Sequence, residues 1–190
     1  MEKLINQYTD LVKTFQEQMA KINRLWNVQN ETAELLSFLV HLKKPKIILE
    51  LGTSNGFSTF YMAIHKESKI ITVDVEKSRH DLAKENLKCF ENILFISERI
   101  EEYLPRIDYK IDFVFIDANK LNYVKYLQII ENNLSENAII VADNIDSHNT
   151  TKNYQDYVTK SNDFTTIHLS IDSGLLISIY NKKNVCVKIS

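Results

Sequence analysis

The stretch Ile47-Ile48-Leu49-Glu50-Leu51-Gly52-Thr53-Ser54-Asn55-Gly56-Phe57-Ser58 decides the fold. A short apolar run, the mark of a buried strand, passes straight into a turn with two glycines and then into helical spacing. At such a turn a glycine lets backbone approach a ligand where a Cβ would collide. The helix N-terminus that follows offers unpaired N–H groups to an anionic or carboxylate group. The pattern is E-x-G-x-x-x-G and not the G-x-G-x-x-G of dinucleotide binders, so it serves a pyrophosphate less well.

Downstream, the apolar run Ile70–Val73 ends in Asp74, an acid placed to accept hydrogen bonds from ribose hydroxyls. Further candidate strands are Ile93–Ile96, Phe113–Ile116, Ala138–Ala142 and Leu175–Tyr180. Helical patterns fall at Thr59–His65, Arg79–Cys89, Asn122–Asn133 and Asn153–Lys160. Apolar runs without alternation suit strands covered by helices on both faces, and the repeated strand–helix order predicts a doubly wound α/β domain. Ligands of such sheets bind beyond the carboxyl ends of the strands. Upstream, Ile5, Tyr8, Leu11, Val12, Phe15, Met19, Ile22 and Trp26 recur at helical spacing. That stripe covers either the sheet or a second subunit, which leaves a homodimer through the N-terminal helices open. A second helix runs from about Glu31 to His41 and is broken at Lys43-Lys44-Pro45. Residues 1–190 read as one domain, with N-terminal helices over 1–44 and the α/β core over 45–190.

Bulk properties narrow the partners. Charged residues make up 25% of the chain and the formal net charge is −2, so there is no electrostatic case for nucleic acid. The N-terminal segment is amphipathic and carries acids, which fits neither a signal peptide nor a membrane span, and the cytoplasm is the expectation. Cys89 and Cys186 lie far apart outside any CxxC pattern and read as two buried free thiols in a reducing compartment. His41, His65, His80, His148 and His168 share no metal spacing.

The reaction chemistry gathers at two more strand ends. The fourth run continues into Asp117-Ala118-Asn119-Lys120 and the fifth into Asp143-Asn144. Two carboxylates and an amide oxygen on one rim suit a hard divalent cation that keeps open positions for water or substrate. Asp at a strand exit also serves as a cap, which is the plain structural alternative. Lys120 follows Asp117 closely enough to face the same cleft. Beside a cation in a partly dry pocket its ammonium is disfavoured, which would make it a base; a surface lysine at a helix start is the equal alternative. Tyr123 and Tyr126 read as helix packing.

Taken together, ILELGTSNGFST (48–59), ITVDVE (71–76), DFVFIDANKLNY (112–123) and IIVADN (139–144) resemble the metal-dependent class I O-methyltransferases, the group of catechol and caffeoyl-CoA O-methyltransferases and their bacterial relatives. The resemblance runs over about residues 27–180. It implies a Rossmann-like, mostly parallel seven-stranded sheet whose last strand is antiparallel, with Leu175–Tyr180 near that edge. By the same resemblance Glu50, Gly52, Ser54 and Gly56 line the cofactor S-adenosylmethionine, Ser58 holds its carboxylate and Asp74 its ribose, with Asp117 at the junction of cofactor and metal. Asp117, Asp143 and Asn144 match the ligands of Mg²⁺, with Ca²⁺ or Mn²⁺ as alternatives, and Lys120 matches the general base. Trp26-Asn27-Val28 resembles a stretch that closes over cofactor and substrate. Four loops depart from the pattern: Glu98-Arg99-Ile100 replaces a Gly-Asp-Ala turn at the adenine, Asn119 precedes the lysine, Ser135-Glu136-Asn137 replaces Pro-Gly-Gly, and Asp172-Ser173-Gly174 replaces Gly-Asp-Gly.

The implied reaction moves a methyl group from S-adenosylmethionine to a hydroxyl of a small molecule, plausibly a vicinal diol on an aromatic ring chelated by the cation. The alternatives are a metal-independent methyltransferase with another O- or N-acceptor, a family member that binds cofactor without turnover, an NAD-linked oxidoreductase and an interaction module.

Overall fold

A computed structural model describes residues 5–22, 25, 27–146 and 149–181. Seven strands form one sheet: β1 Ile47–Leu51, β2 Lys69–Val73, β3 Ile93–Ile96, β4 Ile111–Ile116, β5 Leu134–Ala142, β6 Phe164–Leu169 and β7 Leu175–Tyr180. Their order across the sheet is β3-β2-β1-β4-β5-β7-β6. The pairs among β1 to β5 are parallel, and β7 runs antiparallel to both β5 and β6. The chain leaves β1 for β2 on one side and reaches β4 on the other, so the order reverses beside β1, where such sheets open a crevice.

Period-two alternation sorts the buried side chains onto two faces. Leu49, Leu51, Val73, Val114, Ile116 and Ile140 point to one face, where helices α6 Tyr123–Ile130 and α7 Lys152–Lys160 bring Tyr123, Leu127, Tyr154 and Val158. Ile48, Ile70, Phe113, Phe115 and Val141 point to the other. There they meet Phe15 of α1 (Thr9–Lys21), Leu36 and Val40 of α2 (Asn30–Lys43) and Phe60 of α3 (Phe57–Ala63), beside Leu87 at the end of α4 (Lys77–Asn86). A seventh short helix, α5, spans Ile100–Tyr103. Strands buried on both faces are what unbroken apolar runs require.

The N-terminal stripe divides. Phe15 is fully buried, with its ring centroid 5.5 Å from that of Phe57, and Tyr8 lies edge-on to Phe60 at 5.6 Å. Met19 and Ile22 stay more than a third exposed. Trp26, His148 and Cys186 lie outside the described residues.

Leu175–Tyr180 lies near the edge as expected, and the edge itself is β6, which the apolar runs do not mark because Phe-Thr-Thr-Ile-His-Leu alternates with polar residues where an edge strand meets water on one side. One expectation needs correction. Cys89 is exposed and not buried, since it stands just beyond the last turn of α4 on its solvent side. Among the described residues no helix is long and apolar enough to cross a membrane.

Candidate active site

Four adjacent strands stop in step. Leu51 pairs with Val73 on one side and with Ile116 on the other, and Ile116 pairs with Ala142. The next residue of each strand therefore stands in one row along the rim, in the spatial order Asp74, Gly52, Asp117, Asp143. The ladder continues through that row: the Gly52 amide donates to the Val73 carbonyl at 2.9 Å, Asp117 to Leu51 at 2.9 Å and Asp143 to Ile116 at 3.0 Å. At roughly 4.8 Å per strand spacing, the ends of the row stand roughly 14 Å apart.

Above the row lies a cleft of about 1090 Å³, at the upper end of the ~300–1,000 Å³ usual for small-molecule sites. Gly52, Ser54, Ser58, Asp74, Asp117, Lys120, Asp143 and Asn144 all line it, whereas Glu50 and Gly56, expected to line it, are buried and are not among its lining residues. Three non-glycine residues on its surrounding loops, Ser54, Asn144 and Asp172, hold left-handed backbone at φ 48°, 61° and 54°. Such strain concentrates at binding sites because the surrounding structure must hold it in place.

The glycines answer to the chain itself. Gly52 has φ +102°, and a Cβ there would fall 2.0 Å from the Asp117 carbonyl oxygen. A Cβ on Gly56 would fall 2.8 Å from Leu87 Cδ1. The first glycine thus lets β1 and β4 close up at the rim, and the second seats the turn on α4.

Asp74 shapes the turn as well as facing the cleft. Its Oδ2 accepts from the Thr53 and Ser54 amides at 3.0 and 3.1 Å, and its Oδ1 from the Glu76 amide at 2.8 Å. A carboxylate offers about four lone-pair sites, so three backbone donors leave room for about one hydroxyl. Glu50 is fully buried and accepts from Ser58 Oγ at 2.6 Å and Thr59 Oγ1 at 2.5 Å. Burial pushes its carboxyl up to about 7 against the pull of those hydroxyls. With its proton given to Glu50, Ser58 presents an acceptor oxygen to the cleft. A ligand carboxylate would need that hydroxyl turned away from Glu50.

At the other end of the row, Lys120 Nζ donates to Asp117 Oδ1 at 2.9 Å. Asp143 Oδ1 accepts from the Asn144 amide at 2.7 Å, and burial and then the neighbouring Asp117 carboxylate push the Asp143 carboxyl up to about 7. Behind them Tyr123 is buried, donates to the Asp143 carbonyl at 3.3 Å and packs as its spacing predicts. Asp172, in the loop beyond β6, takes a hydrogen bond from Thr32 of α2, and Ser173 of the same loop lines the cleft.

A family model described as O-methyltransferase matches residues 5–180. The chain belongs to the O-methyltransferase family. Catechol O-methyltransferase of Niastella koreensis is 29% identical over 128 residues, which cover 63% of this chain and 58% of that protein. Caffeoyl-CoA O-methyltransferase of Medicago sativa is 30% identical over 53% of this chain and 47% of its own. The chain thus spans less than two thirds of the length of these curated relatives. Among solved structures, a Staphylococcus aureus protein whose caffeoyl-CoA O-methyltransferase assignment is itself an inference shares 26% identity at a TM-score of 0.81, over 95% of this chain and 98% of that one. The Bacillus cereus O-methyltransferase, solved in complex with SAH, matches at a TM-score of 0.81 and 19% identity over 91% of each chain, a likeness of fold.

For an O-methyltransferase the donor set at the rim fits a divalent cation. Asp117 and Asp143 line one pocket, and burial first and the Asp117 carboxylate second raise the Asp143 carboxyl, a repulsion that a cation between them would relieve. Among the described residues no cluster of three or more His, Cys, Asp or Glu side chains forms a metal site; the third ligand here would be the amide of Asn144. Arg99 and Ile100, which the resemblance places near adenine, line the Asp74 end, and Asn27 and Val28, which it places over the ligands, line the side toward α1 and α2. The motifs left Val75, Arg79, Met19, Leu25 and Gln29 without a role, and these line the cleft too. Val75 is 62% exposed, a solvent-facing apolar residue after an acid, and that was the available signal.

Proposed function

We propose that the chain moves a methyl group from S-adenosylmethionine to a hydroxyl oxygen of a small molecule, with a divalent cation at the acceptor. The row Asp74–Gly52–Asp117–Asp143 carries this reading, because it sets a nucleoside-binding turn beside a carboxylate pair within one cleft. S-adenosylmethionine supplies an electrophilic methyl on its sulfonium. Asp74 would take a ribose hydroxyl, the Gly52–Gly56 turn the methionine portion, and Val75 with Ile100 the faces of adenine. Asp117, Asp143 and Asn144 would hold Mg²⁺, Ca²⁺ or Mn²⁺, which would lower the pKa of a bound hydroxyl toward neutrality. Lys120 Nζ, fixed by Asp117, orients the acceptor oxygen and, as the free amine, takes its proton. Holding two reactants in one cleft makes a bimolecular step effectively unimolecular. An aromatic vicinal diol is the acceptor class that matches two oxygens at one cation.

The Lys120–Asp117 ion pair favours a second reading, a metal-independent methyltransferase in which the ammonium takes the cation's place. Methyl transfer to catechol with and without EDTA separates the two. Full activity in chelator removes the metal role, and calorimetry that detects NAD binding in place of S-adenosylhomocysteine removes the methyltransferase itself. The exposed Cys89 thiol supports a reducing compartment such as the cytoplasm. A small molecule is the proposed partner, with neither nucleic acid nor membrane. A homodimer through the N-terminal helices would rest on Met19, Ile22, Phe38 and Leu42, the large apolar side chains those helices leave exposed.

A further inference from the structure

Helix α1 reaches the cleft at its last turn, and the residue before cleft-lining Met19 is Gln18. The Gln18 amide turns onto two asparagines from separate elements. Its Nε2 donates to Asn86 Oδ1 at 2.8 Å, and its Oε1 accepts from Asn86 Nδ2 at 2.9 Å and from Asn55 Nδ2 at 3.0 Å. Asn86 Nδ2 also donates to the Asn55 carbonyl at 2.9 Å. Asn86 closes α4, and Asn55 is a fully buried residue of the Gly52–Gly56 turn. Three amides thus join the N-terminal helix, the glycine turn and α4 at one point.

The rest of α1 is held by apolar packing, chiefly Phe15 against Phe57 and Phe60. Such packing is non-directional and tolerates sliding, whereas a hydrogen-bonded network fixes one register. Beyond the network the chain supplies Met19, Leu25, Asn27, Val28 and Gln29 to the cleft wall. Met19 stays 41% exposed, an apolar surface that a bound ligand would cover.

We infer that Gln18 is a positioning residue for the cofactor, its amide latch fixing the end of α1, with Met19 at the cleft wall, against the Gly52–Gly56 turn so that bound S-adenosylmethionine escapes slowly. This inference rests on the cofactor reading proposed above. Gln18 touches no reacting atom and acts through Asn55 and through the wall that follows it. A latch of this kind acts on the rate of release more than on the chemical step, since closure sequesters what is bound.

The test uses the full chain and S-adenosylhomocysteine, with release followed by stopped-flow. Gln18→Met keeps length and apolar fit while removing every amide bond, and release is expected to quicken about tenfold, the scale of one or two lost neutral hydrogen bonds. Gln18→Glu keeps an acceptor for the two asparagine amides and is expected to recover part of that loss. A merely structural glutamine would lower the melting midpoint of the free protein without changing release. A second measurement needs no variant: amide exchange across residues 9–22 of the wild-type chain is expected to slow when S-adenosylhomocysteine is added. Wild-type binding with unchanged exchange, or with equal release from Gln18→Met, overturns the latch alone. Absence of wild-type binding overturns the cofactor reading and the latch with it.

Discussion

Asp74 and Asp143 stand at opposite ends of one row of strand termini, and their carboxyls live in different surroundings. Asp74 accepts three backbone amides and has the Arg79 guanidinium 3.9 Å away. Asp143 accepts one amide and faces Asp117 across a buried pocket, and its carboxyl rises to about 7. The donor end is completed by the fold, so its turn keeps its shape before any ligand arrives. The acceptor end sets two carboxyls against the Lys120 ammonium, so a ligand cation would still meet negative charge to balance. The departures from the family pattern fall at both ends: Arg99 and Ile100 line the cleft beside Asp74, and Ser173 lines it in the loop beyond β6.

The contrast is easiest to break at Asp143. Asp143→Asn should lower methyl transfer to catechol by about a hundredfold or more, beyond the ~10–100-fold that outer-shell partners of metal ligands control, while S-adenosylhomocysteine affinity changes little. The same change relieves carboxylate repulsion, so the metal-free variant should melt higher than wild type, a stability bought at the expense of function. Calorimetry showing equal losses of cofactor and turnover would mean that the two ends are one unit.

Gly52 tests the junction between the ends. Gly52→Ala places a methyl where the Asp117 carbonyl already sits, at a φ that L residues rarely adopt. The expected cost is about 2–3 kcal/mol of stability, read by urea unfolding, with loss of both cofactor and acceptor binding. Asp74→Ala removes the acceptor of three turn amides and should weaken S-adenosylhomocysteine about tenfold. It should spare Mg²⁺ binding, which isothermal titration would report.

Much of this division was readable from the chain alone. Unbroken apolar runs gave β1, β2, β4 and the end of β5, and the residue after each run was already chemical: Gly52, Asp74, Asp117, Asp143. That four such residues form one row depends on register, which is set by pairing between distant segments and is not encoded in any one of them. β6 escaped notice because its exposed side alternates, and α5 because four residues carry no periodicity. The partners of Asp74 were hidden for another reason. Backbone amides bear no residue signature, so an acid expected to face ribose turned out to hold the turn that ribose would meet. Likewise the Lys120–Asp117 pair follows from local spacing, while the Gln18–Asn55–Asn86 network joins residues that only the tertiary fold brings together.

The smallest effect sharpens the comparison through Glu50, a fully buried titrating group of β1 two residues before Gly52. Glu50 keeps its proton to about pH 7 in the folded chain, while its ordinary value is 4.5. Between those values the folded state binds more protons than the unfolded state, so stability falls as pH rises, and the contribution present below 4.5 is lost by the time pH passes 7. From pH 6 to pH 8 that amounts to about 1 kcal/mol. Glu50→Gln stays neutral and keeps an oxygen for the Ser58 or Thr59 hydroxyl, so urea midpoints measured across this range should flatten by that amount. Most of the slope contributed by Glu50 should persist when Mg²⁺ is added, because burial is its chief cause and the Asp117 carboxylate a lesser one. A slope that Mg²⁺ abolishes in wild type and that Glu50→Gln leaves intact would assign the titration to the acceptor end.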